Sequence, residues 1–480
     1  MQLPIIAPAP IVSKHAQVFR PLFNDVRQYQ NFQNYLTGLM VLENKSLANI
    51  SRCIINSADK SNLSRFMSES PWQPTEVNRV RIDYMMEQTA GIRMAATESY
   101  FILDDTLCEH VGSLFEYVDR HYDHCDGSYP LAHNLVTSHY LSGAVRMPIH
   151  AEIYRRYETV TQWEQFMLKH FPTQAIPKTA TERTKVHKQC DAKLLEDPDF
   201  LALHQLFRTK IEIAQTLLAK AVAQGVAFTT MLMDSWYLTP ALVKTLADLH
   251  IDWVSLLKRN RKLETGSFQL QDAAGSPILF PKPHIKVEDL VPLIPPQSYK
   301  KVTIGQRTYW CFTFCVRLDS LGKVRLTISF DNPDLTGTYA VLITNRCDWS
   351  AAQMVAKYLL RWPIETFYRD SKQLLGLDEY RTRSFAAIEA HWCLVFVAYS
   401  FLHLDCLLPS SIQDSSPRPT TPYQSIGAVC RQQAQSLIEQ LILFAHDRLL
   451  QGCSATELFT TLFAKQHSTT RSSKIGRAHV

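Results

Sequence analysis

The sequence lacks several motifs that define common enzyme classes. It has no glycine-rich phosphate-binding loop, which argues against a mechanism driven by nucleoside triphosphates. It has no G-x-S-x-G elbow, which argues against an α/β-hydrolase. It also has no internal repeat and no low-complexity tract. Its 480 residues are 46% hydrophobic and 20% charged, which predicts a globular protein of roughly three domains, or one large domain with additions.

Paired cysteines and membrane-targeting segments are missing as well. The eleven cysteines are scattered, and none belongs to a C-x-x-C pair. The N-terminal residues do not resemble a signal peptide. The most apolar run, at residues 391–404, is too short to span a bilayer and is interrupted by histidine. We therefore expect a reduced protein of the cytoplasm that does not contact a membrane.

The net charge of +5 permits a polyanionic partner but does not require one. A local basic cluster, KRNRK at residues 258–262, follows an apolar segment. Its cations Lys258, Arg259 and Arg261 suit contacts with backbone phosphates of a nucleic acid. A solvated basic turn explains the same cluster, and both interpretations stay open.

The hydrophobic pattern predicts helical ends around a mixed α/β middle. Apolar strands are expected near residues 98–107, 226–237 and 251–263, with one long amphipathic helix at 197–224 that ends before Gly225. The helical N-terminal region suits either DNA-end binding or a helical cap on the next domain. The predicted segments are a helical N-terminal region at 1–95, a first α/β part at 96–263, a β-rich insertion at 264–337, a second α/β part at 338–407, a Pro/Ser-rich linker at 408–422 and a helical C-terminal region at 423–473.

The last seven residues, 474–480, are set apart from this scheme. KIGRAHV can be back-translated as AAG ATC GGA AGA GCA CAC GTC, which resembles a sequencing-library adapter. We expect this segment to be an adapter-derived artefact and exclude it from fold reasoning.

Two of the predicted strands run into aspartates. The first contains Asp104 and Asp105, and the second ends at Asp234. Carboxylates at strand ends that converge on one sheet edge repel one another unless cations lie between them. Mg²⁺ prefers such oxygen ligands, and two ions about 3.5–4 Å apart support phosphoryl transfer. A single aspartate after a strand is more often a turn former or a helix cap, so the prediction depends on the combination.

A third carboxylate lies in the segment KYLLRWPIETFYRDSK, residues 357–372. In a continuous helix, Tyr358, Arg361, Glu365 and Lys372 project within a sector of roughly 60°. One face then carries a phenol, a guanidinium, a carboxylate and an ammonium, a set that core packing does not require. Pro363 removes one helix hydrogen bond, so a kink or a restart of the helix is expected there.

These residues have the spacing Y-x2-R-x3-E-x6-K and resemble the Y-R-E-K motif of the insertion-sequence DDE transposases. RWPIETFYRDSKQLLGL is similar to that family's RWxIExxFRxxKQxLGL pattern. ILDDT at 102–106 and MDSWY at 233–237 resemble its first and second aspartate segments. The resemblance extends in order over about residues 30–460, and the Y-R-E-K segment is its most specific part.

The resemblance implies a ribonuclease H-like catalytic core with a β-rich insertion. It implies that Asp104, Asp234 and Glu365 are catalytic and ligate two Mg²⁺ or Mn²⁺ ions. The family's first acid usually stands two residues before a threonine, which favours Asp104 before Thr106. Asp105 stays open as the alternative, and strand alternation would point it to the other face.

The resemblance also implies roles in binding DNA. Arg361, Lys372 and Tyr358 would hold phosphates of the cut strand. Trp362 or Trp236 would stack on a displaced base, although core packing is the more common role of a tryptophan and is favoured here. The implied partners are terminal inverted repeats and target DNA, and the protein would bind them as a dimer at the nucleoid. The resemblance also implies that the reaction proceeds through a DNA-hairpin intermediate. A catalytically silent DNA-binding descendant and a two-metal structure-specific nuclease are the alternatives.

Overall fold

The computed structural model describes residues 4–55, 60–123, 125–408 and 422–467. Most of the predicted linker at 408–422 and all of the adapter-like tail at 474–480 lie outside the described residues. The α-helices are α1 (Pro10–His15), α2 (Val26–Val41), α3 (Leu47–Cys53), α4 (Lys60–Ser68), α5 (Pro74–Gln88), α6 (Tyr157–Val160), α7 (Trp163–His170), α8 (Ala180–Leu194), α9 (Pro198–Leu206), α10 (Lys210–Ala223), α11 (Pro240–Asp248), α12 (Val287–Leu290), α13 (Ala351–Leu359), α14 (Pro363–Leu375), α15 (Phe385–Leu407), α16 (Ile426–Leu450) and α17 (Ala455–His467).

The strands alternate with these helices along the chain. They are β1 (Ser99–Glu109), β2 (Asp119–Arg120), β3 (Leu131–Ser142), β4 (Val145–Tyr154), β5 (Thr230–Met233), β6 (Asp252–Leu256), β7 (Lys262–Glu264), β8 (His284–Lys286), β9 (Lys300–Ile304), β10 (Arg307–Leu318), β11 (Gly322–Phe330) and β12 (Tyr339–Thr344).

One large mixed sheet organises the molecule. Its central order is β4-β3-β1-β5-β6. β1, β3 and β4 are antiparallel neighbours, whereas β5 runs parallel to both β1 and β6. With its helical ends, this sheet confirms the α/β, ribonuclease H-like fold expected from the sequence. Because β1 and β5 are parallel, the residues that follow their paired segments meet at the same edge of the sheet.

The sheet continues beyond β6 through strands of the predicted β-rich insertion. β12 pairs with β6, and β11, β10 and β9 follow in antiparallel order. β7 and β8 form a separate two-stranded sheet. The strands at 300–330 therefore extend the central sheet rather than stand apart from it.

α15 is the central helix of the helical layer. Within the described residues it alone is long and apolar enough to cross a membrane, but 83% of its most apolar window is buried inside the fold. It packs against α5, α2 and α4 from the N-terminal region and against α16 from the C-terminal region. These helices share one hydrophobic core with the face of the sheet that carries Ile102 and Leu232.

Three local predictions differ from the structure. The helix expected at 197–224 is broken into α9 and α10, because Thr209 and Glu212 form a capping box that starts a new helix. The strand expected at 226–237 is only the four residues of β5. The strand expected at 251–263 is split into β6 and β7 by the basic turn. Gly225 follows α10 with φ of +76°, as expected for a residue that ends a helix.

Candidate active site

Asp104 lies in the middle of β1 and faces α14. Its partner in the register is Thr137 of β3, whose hydroxyl lies 2.5 Å from the hydroxyl of Tyr368 on α14. The next residue, Asp105, points to the opposite face of the sheet, as strand alternation requires. The structure thus separates the two neighbouring acids and places only Asp104 on the side of Glu365.

The segment that carries Arg361 and Glu365 is shaped by caps and by proline. Ser350 begins α13 with a capping box to Gln353. α13 ends at Leu359, and α14 restarts with Pro363 in its first turn, where the missing N–H has no helical partner to lose. The restart expected at Pro363 is confirmed. Arg361 therefore lies in the turn between two helices, and Glu365 lies in the first turn of α14.

Arg361 bridges two of the three acids. Its Nη1 donates to Oδ2 of Asp104, and its Nη2 donates to Oε1 of Glu365 at 2.8 Å. The Arg361 side chain is only 16% exposed. Burial lowers its pKa, but the charges of Asp104 and Glu365 raise it by more, so Arg361 stays a cation. A fixed positive charge thus lies between the two carboxylates.

Asp234 directly follows β5 and is held by its own turn. Its Oδ1 accepts hydrogen bonds from the backbone N–H of Trp236 at 2.9 Å and of Tyr237 at 3.3 Å. Burial raises its pKa, these two bonds lower it, and the charge of Asp105 raises it again, for a net increase. The side chain is therefore oriented by the backbone before any ligand arrives.

Two of the acids act electrostatically on the third, Asp104. Burial raises the pKa of Asp104 to about 7; Arg361 opposes this shift, and the charges of Asp105, Asp234 and Glu365 add to it. Asp234 and Glu365 thus both act on Asp104, although 131 residues of sequence separate them. The cluster carries more negative charge than its single guanidinium balances.

This donor set fits a hard divalent cation. Carboxylate oxygens are the ligands that Mg²⁺ and Mn²⁺ prefer, and an excess of buried negative charge favours a cation. As the side chains stand, no group of three His, Cys, Asp or Glu among the described residues is arranged to hold a metal. Arg361 takes the space between Asp104 and Glu365, so it must move for the acids to converge.

Asp105 is held on the other face by three protein donors. Lys210 Nζ lies 2.8 Å from its Oδ2, and the Tyr237 hydroxyl donates to its Oδ1 at 2.9 Å. With its amide oriented to suit its neighbours, Asn134 donates to Oδ2 at 3.1 Å and accepts from Lys210 at 3.0 Å. These contacts leave Asp105 little capacity to bind a metal ion.

The other residues of the predicted Y-R-E-K face are divided between two places. Tyr358 is half-buried beside Arg361; burial raises its pKa more than Arg361 lowers it, so the phenol keeps its proton. Lys372 instead donates to the carbonyl of Leu107 at 2.7 Å, farther along β1. Glu365 and Lys372 both belong to α14, and the seven residues from one to the other span about two turns, roughly 10 Å along the axis, so the helix itself carries Lys372 away from Arg361.

The predicted aromatic and basic contacts lie at the surface. Trp362 is 69% exposed and Trp236 is 41% exposed. Lys258 and Arg261 are exposed in the turn after β6. Arg259 donates to the carbonyl of Tyr339 at 2.7 Å and stacks on its ring at 4.1 Å. The basic turn is therefore partly tied to the sheet and partly free to bind an anion.

Two residues near the acids were not anticipated. Lys210 is the first residue of α10 and was hidden inside the expected continuous helix at 197–224. A threonine followed three residues later by glutamate, Thr209 and Glu212, was the signal for this helix start. Tyr237 was present in the MDSWY segment, but only the turn after β5 directs its hydroxyl to Asp105.

Comparison with known proteins gives matches over most of the chain. Residues 18–277 match the family model described as DDE superfamily endonuclease. Residues 208–401 match the model described as transposase DDE domain. A curated relative, the probable transposase for insertion sequence element IS701 of Microchaete diplosiphon, is 21% identical over 386 residues, which cover 79% of this chain and 83% of the relative.

Proposed function

This chain belongs to the DDE superfamily of endonucleases and is a transposase, and from that premise we propose that it cuts insertion-sequence ends and joins them to target DNA. Members of this superfamily depend on divalent metal, and transposases act on DNA. The observation that carries the proposal is the meeting of three distant acids: Asp234 and Glu365 both act electrostatically on Asp104. Core packing does not require three carboxylates in one place, and here Asp104 and Asp234 are partly buried while Glu365 is 39% exposed.

Asp104, Asp234 and Glu365 are the proposed ligands of two Mg²⁺ or Mn²⁺ ions. When bound, such ions activate an attacking hydroxyl and stabilise the leaving oxygen of a phosphodiester. Asp104 is proposed as the first acid because it shares Arg361 with Glu365, whereas Asp105 is engaged by Lys210 and Tyr237 on the other face.

Arg361 is proposed to exchange its carboxylates for a DNA phosphate. Its planar fork binds phosphate oxygens as well as it binds carboxylates. Tyr358 lies beside it with a neutral hydroxyl that can donate to the same phosphate. Lys372, which donates to the carbonyl of Leu107, is proposed to hold a second phosphate of the same strand.

The exposed residues around the site supply further proposed contacts. Trp362 offers a free indole face for stacking on a displaced base, and Trp236 is the alternative. Lys258, Arg259 and Arg261 would contact backbone phosphates of the duplex. Residues 1–95 are proposed to bind the terminal inverted repeats, and two copies of the chain to pair two ends. Such a protein would act in the bacterial cytoplasm, at the nucleoid when bound to DNA.

Three assays with a transposon-end duplex and a target plasmid test this proposal. We expect binding in a gel shift, Mg²⁺-dependent strand cleavage, and products joined to the target. Binding without cleavage would instead identify a silent DNA-binding descendant. Cleavage without any joined product would identify a structure-specific nuclease.

A further inference from the structure

The backbone pairing that aligns β1 with β5 stops before it reaches the acids. The parallel ladder contains three pairs, the last between Ile102 and Leu232. Asp104 and Asp234 each lie two residues beyond that pair. β1 remains paired with β3 at Asp104 and β5 with β6 at Met233, but no pairing joins β1 to β5 at the acids, so a side-chain bond between the two segments can fix their separation.

One side-chain bond crosses this gap. Tyr237 belongs to the turn that Asp234 nucleates, and its hydroxyl donates to Oδ1 of Asp105 at 2.9 Å. Asp105 is the direct neighbour of Asp104, and its backbone N–H donates to Oδ1 of Asp104 at 3.0 Å. The bond from Tyr237 to Asp105 therefore links the two acid-bearing segments.

The carboxylate of Asp105 is itself fixed by a third element. Lys210 at the start of α10 donates to its Oδ2 at 2.8 Å, and the Lys210 side chain is 13% exposed. The ammonium group lies over two aromatic rings, 5.3 Å from the ring of Tyr154 and 5.1 Å from that of Trp236. Strand, turn and helix thus converge on Asp105, which leaves it little freedom to move.

We propose that Asp105, Tyr237 and Lys210 form a positioning cluster that holds Asp234 at a fixed separation from Asp104 and so sets the affinity of the site for divalent cations. The inference rests on the proposed function, since it takes Asp104 and Asp234 as metal ligands. None of the three residues is given a part in the chemistry itself. Their effect passes through the geometry of the two acids.

The test compares Tyr237→Phe and Asp105→Asn with Tyr140→Phe in the full-length protein. Tyr140 is an equally buried tyrosine of the same core, whose hydroxyl donates to Ser99. Mn²⁺ binding without DNA, followed by electron paramagnetic resonance of the free ion, is the direct readout. The Mg²⁺ concentration for half-maximal cleavage and the thermal midpoint are measured in parallel.

We expect Tyr237→Phe and Asp105→Asn to weaken Mn²⁺ binding by about tenfold or more. Cleavage at saturating Mg²⁺ should largely recover, and Tyr140→Phe should bind Mn²⁺ as the wild type does. If Asp105→Asn does not fold, Lys210→Met at the edge of the cluster replaces it in the test, and we expect the same loss of Mn²⁺ affinity.

Unchanged Mn²⁺ affinity in the cluster variants would overturn the inference, as would an equal loss in Tyr140→Phe. Failure of Asp105→Asn to cleave at any Mg²⁺ concentration would also overturn it, because Asp105 would then be a ligand. A wild-type protein that neither binds Mn²⁺ nor cleaves DNA would refute the proposed function instead.

Discussion

Arg361 donates a hydrogen bond to Asp104 across 257 residues of sequence. This contact puts a guanidinium where the proposed chemistry requires a metal ion. The positive charge lets the free protein keep buried carboxylates near one another without a bound cation. It also means that Arg361 and divalent ions compete for the same oxygens.

That competition predicts the behaviour of Arg361→Gln. Without the guanidinium, the acid cluster is more negative, so the free variant should bind Mn²⁺ more tightly than the wild type does. Cleavage of a transposon-end duplex should nevertheless fall by about 100-fold, because a phosphate-binding cation is removed. Arg369→Gln is the control, since Arg369 is exposed on α14 and pairs with Asp370. Weaker Mn²⁺ binding by Arg361→Gln would contradict this account.

Glu365→Gln tests the third acid. The amide keeps the shape and the hydrogen bond from Arg361 but loses the charge that a divalent ion needs. We expect wild-type DNA binding in a gel shift and no Mg²⁺-dependent strand cleavage. Glu439→Gln on α16 is the matched control, because Glu439 is exposed and bonds to Gln435. Cleavage by Glu365→Gln at the wild-type rate would remove Glu365 from the site.

The raised pKa of Asp104 predicts that the stability of the metal-free protein depends on pH. This pKa of about 7 lies above its ordinary value, so between roughly pH 4 and 7 the folded protein holds a proton that the unfolded chain has released. The free energy of unfolding should therefore fall as pH rises through this window, by at most about 4 kcal/mol. Asp104→Asn should lose this slope and be the more stable protein at pH 8. Denaturant titrations in EDTA at several pH values measure this, and parallel curves for the two proteins would refute it.

The conformation and close surroundings of Gly376, at the end of α14, predict that an alanine there destabilises the protein. Gly376 has φ of +69°, and a Cβ there would lie 2.6 Å from Cγ of Lys45, whose side chain is buried. Gly376→Ala should lower the free energy of unfolding by about 2–4 kcal/mol, from backbone strain and overpacking together. Gly225→Ala is the matched control, since its φ is +76° but nothing lies within 4 Å of the added Cβ. If urea titrations show that both variants lose the same free energy of unfolding, the Lys45 side chain moves aside for the added Cβ and overpacking contributes nothing.

The basic turn after β6 predicts a change in salt dependence. For each phosphate of duplex DNA that a protein neutralises, the slope of log affinity against log salt steepens by about 0.9. If Lys258 and Arg261 each bind a phosphate, replacing both by alanine should make the slope shallower by roughly twice that amount. Lys185 and Lys188, exposed on α8, are the control pair. No change, or the same change in both double variants, would favour a solvated basic turn.

Much of this architecture could be predicted because it is encoded locally. The apolar run of β1 and the alternation of Asp104 and Asp105 follow from strand geometry. The restart at Pro363 follows from its missing N–H. The break between α9 and α10 was equally local, but the long amphipathic pattern obscured the capping box at Thr209. No helix was predicted over residues 157–194, where Trp163 joins Phe200 of α9 in a small separate core.

The sequence by itself determined which acids were candidates, which sheet they belong to and which residues share a motif. Only the tertiary structure decided that Arg361 lies between Asp104 and Glu365, that Lys372 lies farther along β1, and that Asp105 is bound by Tyr237 and Lys210. The reason is physical. Periodicity and capping act over a few residues of chain, whereas the positions of charges depend on how the sheet and the helices pack across hundreds of residues.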